Sequence, residues 1–192
     1  MRAASHRSTL VGAMLLAMSL SAVAVAGCSA SPKPLPSTSS TPSATPVFAS
    51  DEEALAAAEE AYAAYLRVDN AVGQSGGKGE SLYSTVAAGE ALTNALANAK
   101  QFRDAKAHTI GQAAFTVRDL QSAEYEDPRN LSISFYICDD LSEVELVGED
   151  GKTMSESEIN DSAPFLVTVV SSTTSNLLVS NIALWDGDDY CA

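Results

Sequence analysis

Leu131-Ser132-Ile133-Ser134-Phe135-Tyr136-Ile137-Cys138 alternates with a period of two: Leu131, Ile133, Phe135 and Ile137 fall on one side, Ser132, Ser134, Tyr136 and Cys138 on the other. Successive side chains of a strand point to opposite faces, so this is a strand with one side turned to a core. Its neighbours read the same way. Upstream, Ala113, Phe115 and Val117 alternate with polar or small residues. Downstream, Val144 and Leu146 lead into Glu149-Asp150-Gly151-Lys152, where Asp-Gly predicts the positive φ angles of a type I′ hairpin turn. Phe165–Val170 and Leu177–Trp185 are apolar on both faces, which predicts two strands that are central or covered.

Before about His108 the period is helical. Ser50 is a good N-cap, Glu53 stands three residues on in a capping box, and Asp51 and Glu52 suit the positive end of the helix dipole. Leu55, Ala58, Tyr62, Tyr65 and Leu66 then share a face, predicting a helix to about Val68. Asp69-Asn70 and the run Gly73-Gln74-Ser75-Gly76-Gly77-Lys78-Gly79 should break it. That run is not a phosphate loop: its spacing is off by a residue, no Ser or Thr follows Lys78, and it follows a helix where the motif needs a strand. It reads as a flexible connector. A helical turn near Leu82–Val86 and a helix over Ala88–Lys106 follow, with Leu92, Leu96, Ala99 and Phe102/Arg103 inward. Helices first and antiparallel strands after them make an α+β domain, with N-terminal helices on one face of a curved sheet.

The first 49 residues have a different character. Arg2, His6 and Arg7 precede an apolar run from Leu10 to about Val25, the anatomy of a secretory signal peptide. The run is shorter and weaker than the ~20 strongly apolar residues of a membrane span. It ends in Val25-Ala26-Gly27-Cys28, which resembles the lipobox of bacterial lipoproteins, with cleavage between Gly27 and Cys28. That resemblance implies a diacylglyceryl group on the Cys28 sulfur. At about 0.8 kcal/mol per buried methylene, two acyl chains hold where one would exchange. The chain would then be tethered to the cell membrane, facing the extracytoplasmic side. Residues 28–49 are rich in Ser, Thr and Pro (Pro32, Pro34, Pro36, Pro42, Pro46) and cannot bury a core, so they read as a disordered spacer. The expected organisation is signal peptide 1–27, lipidated tether 28–49 and one α+β domain 50–192.

All 25 acidic residues lie after position 50 with only eight of the 11 basic ones, a formal charge of −17 there. Phosphate backbones and anionic headgroups would be repelled, which argues against a nucleic-acid partner. With Cys28 lipidated, Cys138 and Cys191 remain, an even pair in an exported protein, and a disulfide is expected. Closing a loop of about 54 residues stabilises by about 4 kcal/mol in the chain-entropy model.

A lipobox leader, a Ser/Pro tether, N-terminal helices, a strand ending in Cys138-Asp139, an Asp-Gly hairpin, Trp185 in the last strand and a terminal Cys191 occur in that order. In this order the chain resembles actinobacterial cell-envelope lipoproteins whose domain is similar to the nuclear-transport-factor-2-like (cystatin-like, SnoaL-like) cone. The resemblance covers about residues 51–192 and implies a concave sheet closed by helices around an apolar pocket. No catalytic motif of the enzymatic members maps onto positions here, and His and Arg are scarce in the strands.

Possible chemistry is narrow. His6 leaves with the leader, so His108 is the one imidazole of the expected mature chain, and a zinc site built on several histidines is excluded. A Ser-His-Asp triad would need His108 with Asp104 or Asp119, but no Gly-x-Ser-x-Gly elbow is present. A helix cap is the better reading of His108. Asp186-Gly187-Asp188-Asp189 and Asp139, Asp140 and Glu143 lack calcium-loop spacing and read as acidic turns. Tyr62, Tyr65, Tyr136 and Trp185 are candidates to line a pocket with polar tips, although the same spacings suit plain core. The sequence thus points to a non-catalytic binding or interaction module, with an envelope protein or small apolar ligand as partner and no cofactor or metal. The alternative is an enzyme using a pocket carboxylate or His108. The lipobox is open to a direct check: the chain isolated from its own membrane should carry the diacylglyceryl mass on Cys28, and Cys28→Ser should lose both that mass and partition into detergent. An unmodified chain beginning at Met1 would overturn it.

Overall fold

Ser50 opens the first helix as a cap should: its backbone is extended and its Oγ accepts the Glu53 N–H at 3.3 Å. The Glu53 carboxylate reaches back one residue further than a standard capping box, to the Ala49 N–H at 2.8 Å. The computed structural model describes residues 46–154, 162–172, 176–187 and 191. The expected leader, the Gly27–Cys28 junction and most of the tether lie outside the described residues. Among the described residues no helix is long and apolar enough to cross a membrane.

Helix α1 (Asp51–Gln74) buries Ala54, Ala58, Tyr62, Tyr65 and Leu66, close to the predicted face, but runs past Val68. Asp and Asn weaken helices when their side chains compete for nearby backbone. Here those side chains are engaged elsewhere. Asp69 accepts the Tyr83 hydroxyl at 2.6 Å. The Asn70 amide pairs both ways with the Ala113 backbone, at 2.9 and 3.0 Å, and Gln74 donates to the Gly111 carbonyl at 2.7 Å. The polar end of α1 is thus fastened to the link before the main sheet.

The glycine run is a built turn and not a flexible connector. Gly76, Gly77 and Gly79 all have positive φ, and the Gly77 N–H closes onto the Val72 carbonyl at 2.8 Å. A Cβ on Gly77 would stand 2.0 Å from the Ala99 carbonyl oxygen, and the Arg103 guanidinium donates to the Gly77 carbonyl. A short 3-10 helix (Glu80–Thr85) occupies the expected helical turn. Helix α2 (Gly89–Ala105) follows, with Ala91, Ala95 and Ala99 buried. The predicted face is rotated by about one residue: Leu96 is 39% exposed and Leu92 only partly buried. Alanines let the α2 backbone lie close to its neighbours, which large side chains at those positions would prevent.

The strands are β1 (His108–Ile110), β2 (Ala114–Glu124), β3 (Ser132–Asp140), β4 (Glu145–Val147), β5 (Ser162–Ser171) and β6 (Leu177–Leu184). The main sheet is antiparallel in the order β2-β3-β5-β6, and β1 pairs with β4 in a separate antiparallel pair. The architecture is α+β, with helices on a mainly antiparallel sheet. Register shifts between Val117 and Asp119, Leu120 and Ser122, and opposite Thr168–Val169 mark bulges, which sharpen the local twist. β3 and β5 are central. Of the two positions expected for it, central or covered, β6 takes the second: it is an edge strand and a loop covers part of that edge, the Val179 N–H donating to Val86 O at 3.0 Å and the Ala88 N–H to Val179 O at 2.8 Å.

The Asp-Gly turn also differs from type I′, which needs positive φ at both central residues. Among the four turn residues only Gly151 has it. The Gly151 N–H donates to Gly148 O at 3.0 Å and the Gly148 N–H to Lys152 O at 2.9 Å, the pattern of a three-residue hairpin closed by a glycine bulge.

The core lies between α1 and the inner sheet face, where Ile133, Phe135, Ile137, Val167, Val169 and Val179 are fully buried. The chain docks before Ser50: the Val47 N–H donates to Tyr125 O at 3.1 Å and Phe48 packs edge-on against Tyr125 at 5.8 Å. Cys138 and Cys191 form a disulfide, Cα atoms 5.5 Å apart, binding the chain end to β3. Because Gly77 combines a left-handed backbone with contact to a carbonyl, Gly77→Ala should lower unfolding stability by about 2 kcal/mol or more in urea titration. An unchanged midpoint would refute the close approach.

Candidate functional site

The four aromatic candidates do not line one pocket. Tyr62 and Tyr65, one turn apart on α1, stack at 5.9 Å beneath the helix, and Tyr62 meets Phe115 at 4.8 Å and Phe135 at 6.5 Å. Tyr136 follows Phe135 on β3, so it faces the other side of the sheet, where it packs edge-on against Trp185 at 4.9 Å. The sheet separates the two pairs.

What gathers around Tyr62 and Tyr65 is a cluster of two carboxylates and three phenols. The Tyr62 hydroxyl donates to both oxygens of Asp139 at 2.9 Å, and Tyr83, packed on Tyr65 at 6.0 Å, donates to Asp69. Burial pushes the Asp139 carboxyl up to about 6; its bond from Tyr62 opposes this, and the Asp69 charge adds to it. Burial also raises Asp69, against the bond from Tyr83. The three tyrosines are raised by burial first and by the nearby carboxylates second. Asp69 carried only a helix-breaking signal in the sequence and Asp139 only that of an acidic turn. Their meeting required α1 to lie across the end of β3.

The three phenols are buried and the two carboxylates half-buried, and none of the five side chains lines either of the two cavities beside α1. The larger cavity, about 830 Å³, is a half-open groove between α1 and the turn end of the sheet. Its wall on α1 is Ala57, Ala61 and Ala64, three small residues on one stripe, with Glu60 and Arg67 beside them. Phe48, Val86, Leu131 and Leu177 add to the apolar lining, and Arg129 stands at the rim. Its volume falls in the range of small-molecule sites, roughly 300–1,000 Å³. A second cavity of about 550 Å³ shares Phe48 but is ringed by Asp51, Glu124, Glu126 and Asp127.

The other sequence candidates stay apart. His108 lies in β1 opposite Val147, and Lys106, not His108, caps α2. Asp104 pairs with Lys100, and Asp119 sits on β2 opposite Tyr136. Asp140 turns to Ser142, taking its N–H at 3.0 Å and its hydroxyl at 2.7 Å, while Asp139 faces Tyr62. Asp188 and Asp189 lie outside the described residues. Among the described residues no three His, Cys, Asp or Glu side chains converge as a metal site would require. No protein-family model matches the chain, and no curated protein matches it.

The raised Asp139 carries a definite sign. A carboxyl that holds its proton to about pH 6 when folded, against an ordinary value of 3.8, stabilises the fold fully below about pH 4 and loses that contribution as pH rises through 6. Asp139→Asn keeps an acceptor for Tyr62 and removes the titration. Relative to wild type it should therefore gain melting temperature between pH 4.5 and 7 in a pH series; a constant difference across that range would show Asp139 is not raised.

Proposed function

We propose that this protein is a lipid-anchored, extracytoplasmic binding module of the bacterial envelope, non-catalytic, with its ligand groove between α1 and the turn end of the sheet. The anchor is the expected diacylglyceryl group on Cys28, and the domain is a variant of the nuclear-transport-factor-2-like cone. The observation that carries the binding reading is the groove: a cavity of about 830 Å³ whose lining is more apolar than polar, with Arg67, Arg129 and five other polar side chains in its wall. Its ligand is a small, largely apolar molecule. A second reading, an enzyme with Asp139 as general acid, draws on a carboxyl held near 6, a value suited to proton transfer near neutrality. Against it stands the place of Asp139, which lines neither cavity and has both carboxylate oxygens taken by the Tyr62 hydroxyl.

Photo-crosslinking in living cells tests the proposal on the lipidated chain. A benzophenone side chain at Ala57 should yield an adduct of discrete small mass, while the same group at exposed Glu90 on α2 should not. A protein adduct at Ala57, or no difference between the two positions, would overturn the small-ligand reading.

A further inference from the structure

The groove lies in a domain of formal charge −17, yet two of the eight basic residues of that domain line it. They differ in how they are held. Arg129 is already engaged by Asp127, its Nε and Nη2 donating to the two carboxylate oxygens at 3.1 and 3.0 Å. Arg67 is exposed and joins no ion pair among the described residues; its Nε donates to the Ala63 carbonyl at 3.2 Å, which leaves the two terminal nitrogens of the guanidinium. The ion pairs of the described residues go to Lys100, Arg103, Lys106, Arg129 and Lys152.

Position along α1 gives the groove a direction. Arg67 lies ten residues beyond Ala57, about 15 Å along a helix that rises 1.5 Å per residue. Between them run Ala61 and Ala64 as a shallow apolar wall, facing Leu131 and Leu177 from the sheet. Thr85 and Val86, at and just past the end of the short helix that Tyr83 ties to Asp69, also line the groove. Glu60 lines the same wall two turns before Arg67, so an anionic head is favoured at the Arg67 end and disfavoured further along. A planar guanidinium with free terminal donors can grip the two oxygens of a carboxylate with a pair of parallel hydrogen bonds.

We propose that the groove takes a single-chain carboxylate amphiphile, its head held by Arg67 and its apolar body laid along Ala64, Ala61 and Ala57. This rests on the groove being the ligand site, as proposed above, and adds the class of ligand and its orientation. Long-range repulsion from the acidic domain opposes any anion, so selectivity for the carboxylate is set locally by Arg67.

Calorimetry on the full-length chain carrying Cys28→Ser, which has no acyl chains of its own to compete, tests this with decanoate and 1-decanol as probes. Decanoate should bind about tenfold more tightly than decanol. Arg67→Gln should reduce decanoate to the decanol level while leaving decanol unchanged, which also reports that the variant is folded. Arg129→Gln, whose charge Asp127 already neutralises, should have less than a threefold effect on decanoate. Ala61→Trp, which fills the wall, should abolish both. Equal binding of the two probes to the unaltered groove, or decanoate binding indifferent to Arg67→Gln, would overturn the carboxylate inference and leave the groove reading standing. Binding of neither probe, or binding of both that survives Ala61→Trp, would overturn the groove itself.

Discussion

The inner face of β3 is the constraint on which this structure depends. Ile133, Phe135 and Ile137 are fully buried on the strand between β2 and β5, and they need a cover. Each such side chain contributes roughly 1.5–3 kcal/mol only when fully removed from water. α1 provides that cover with Ala54, Ala58, Tyr62 and Tyr65, the aromatic pair filling depth where the alanines leave room. The disulfide then joins the C-terminal end of the same strand to Cys191. Central strand, long helix and chain terminus are therefore held through one element.

Polar groups set how α1 lies on that strand. Hydrophobic burial is non-directional, so it brings a helix onto a sheet without choosing its angle. Tyr62 to Asp139, Tyr83 to Asp69, and Asn70 to the Ala113 backbone are directional, and they occur from the middle of α1 onward. The two carboxylates are costly in this setting, as their upward shifts record. Their phenol partners satisfy them by hydrogen bonds. The same contacts that hold the helix in place occupy this flank of α1, and the larger cavity lies along the other.

Small residues have opposite consequences on the two helices. On α2, Ala91, Ala95 and Ala99 bring the backbone close enough for the Ala99 carbonyl to meet Gly77, and the space is filled. On α1, Ala57, Ala61 and Ala64 meet no such partner, and the space they leave is part of the groove. The size of a side chain sets how near something can come; what comes near is decided by the rest of the fold.

Local rules were enough for the α+β class, the Ser50 cap, the inward set of β3 and the pairing of Cys138 with Cys191. In each of these, residues a few positions apart, or a parity of two cysteines, carry the information. Tertiary contacts decided the rest. Asp69 and Asn70 read as helix breakers because their partners, Tyr83 and Ala113, are supplied by other segments. α2 turned by about a residue because contact favoured its alanines over Leu92 and Leu96. The apolar residues of strand β6 left open whether it is central or covered, and Val86 and Ala88, which cover part of its edge, decide for the second. The groove was the least legible feature. Its lining is drawn from the segment before α1, from α1, from the 3-10 helix and from two hairpin ends, and no spacing within one stretch of chain encodes a space between five.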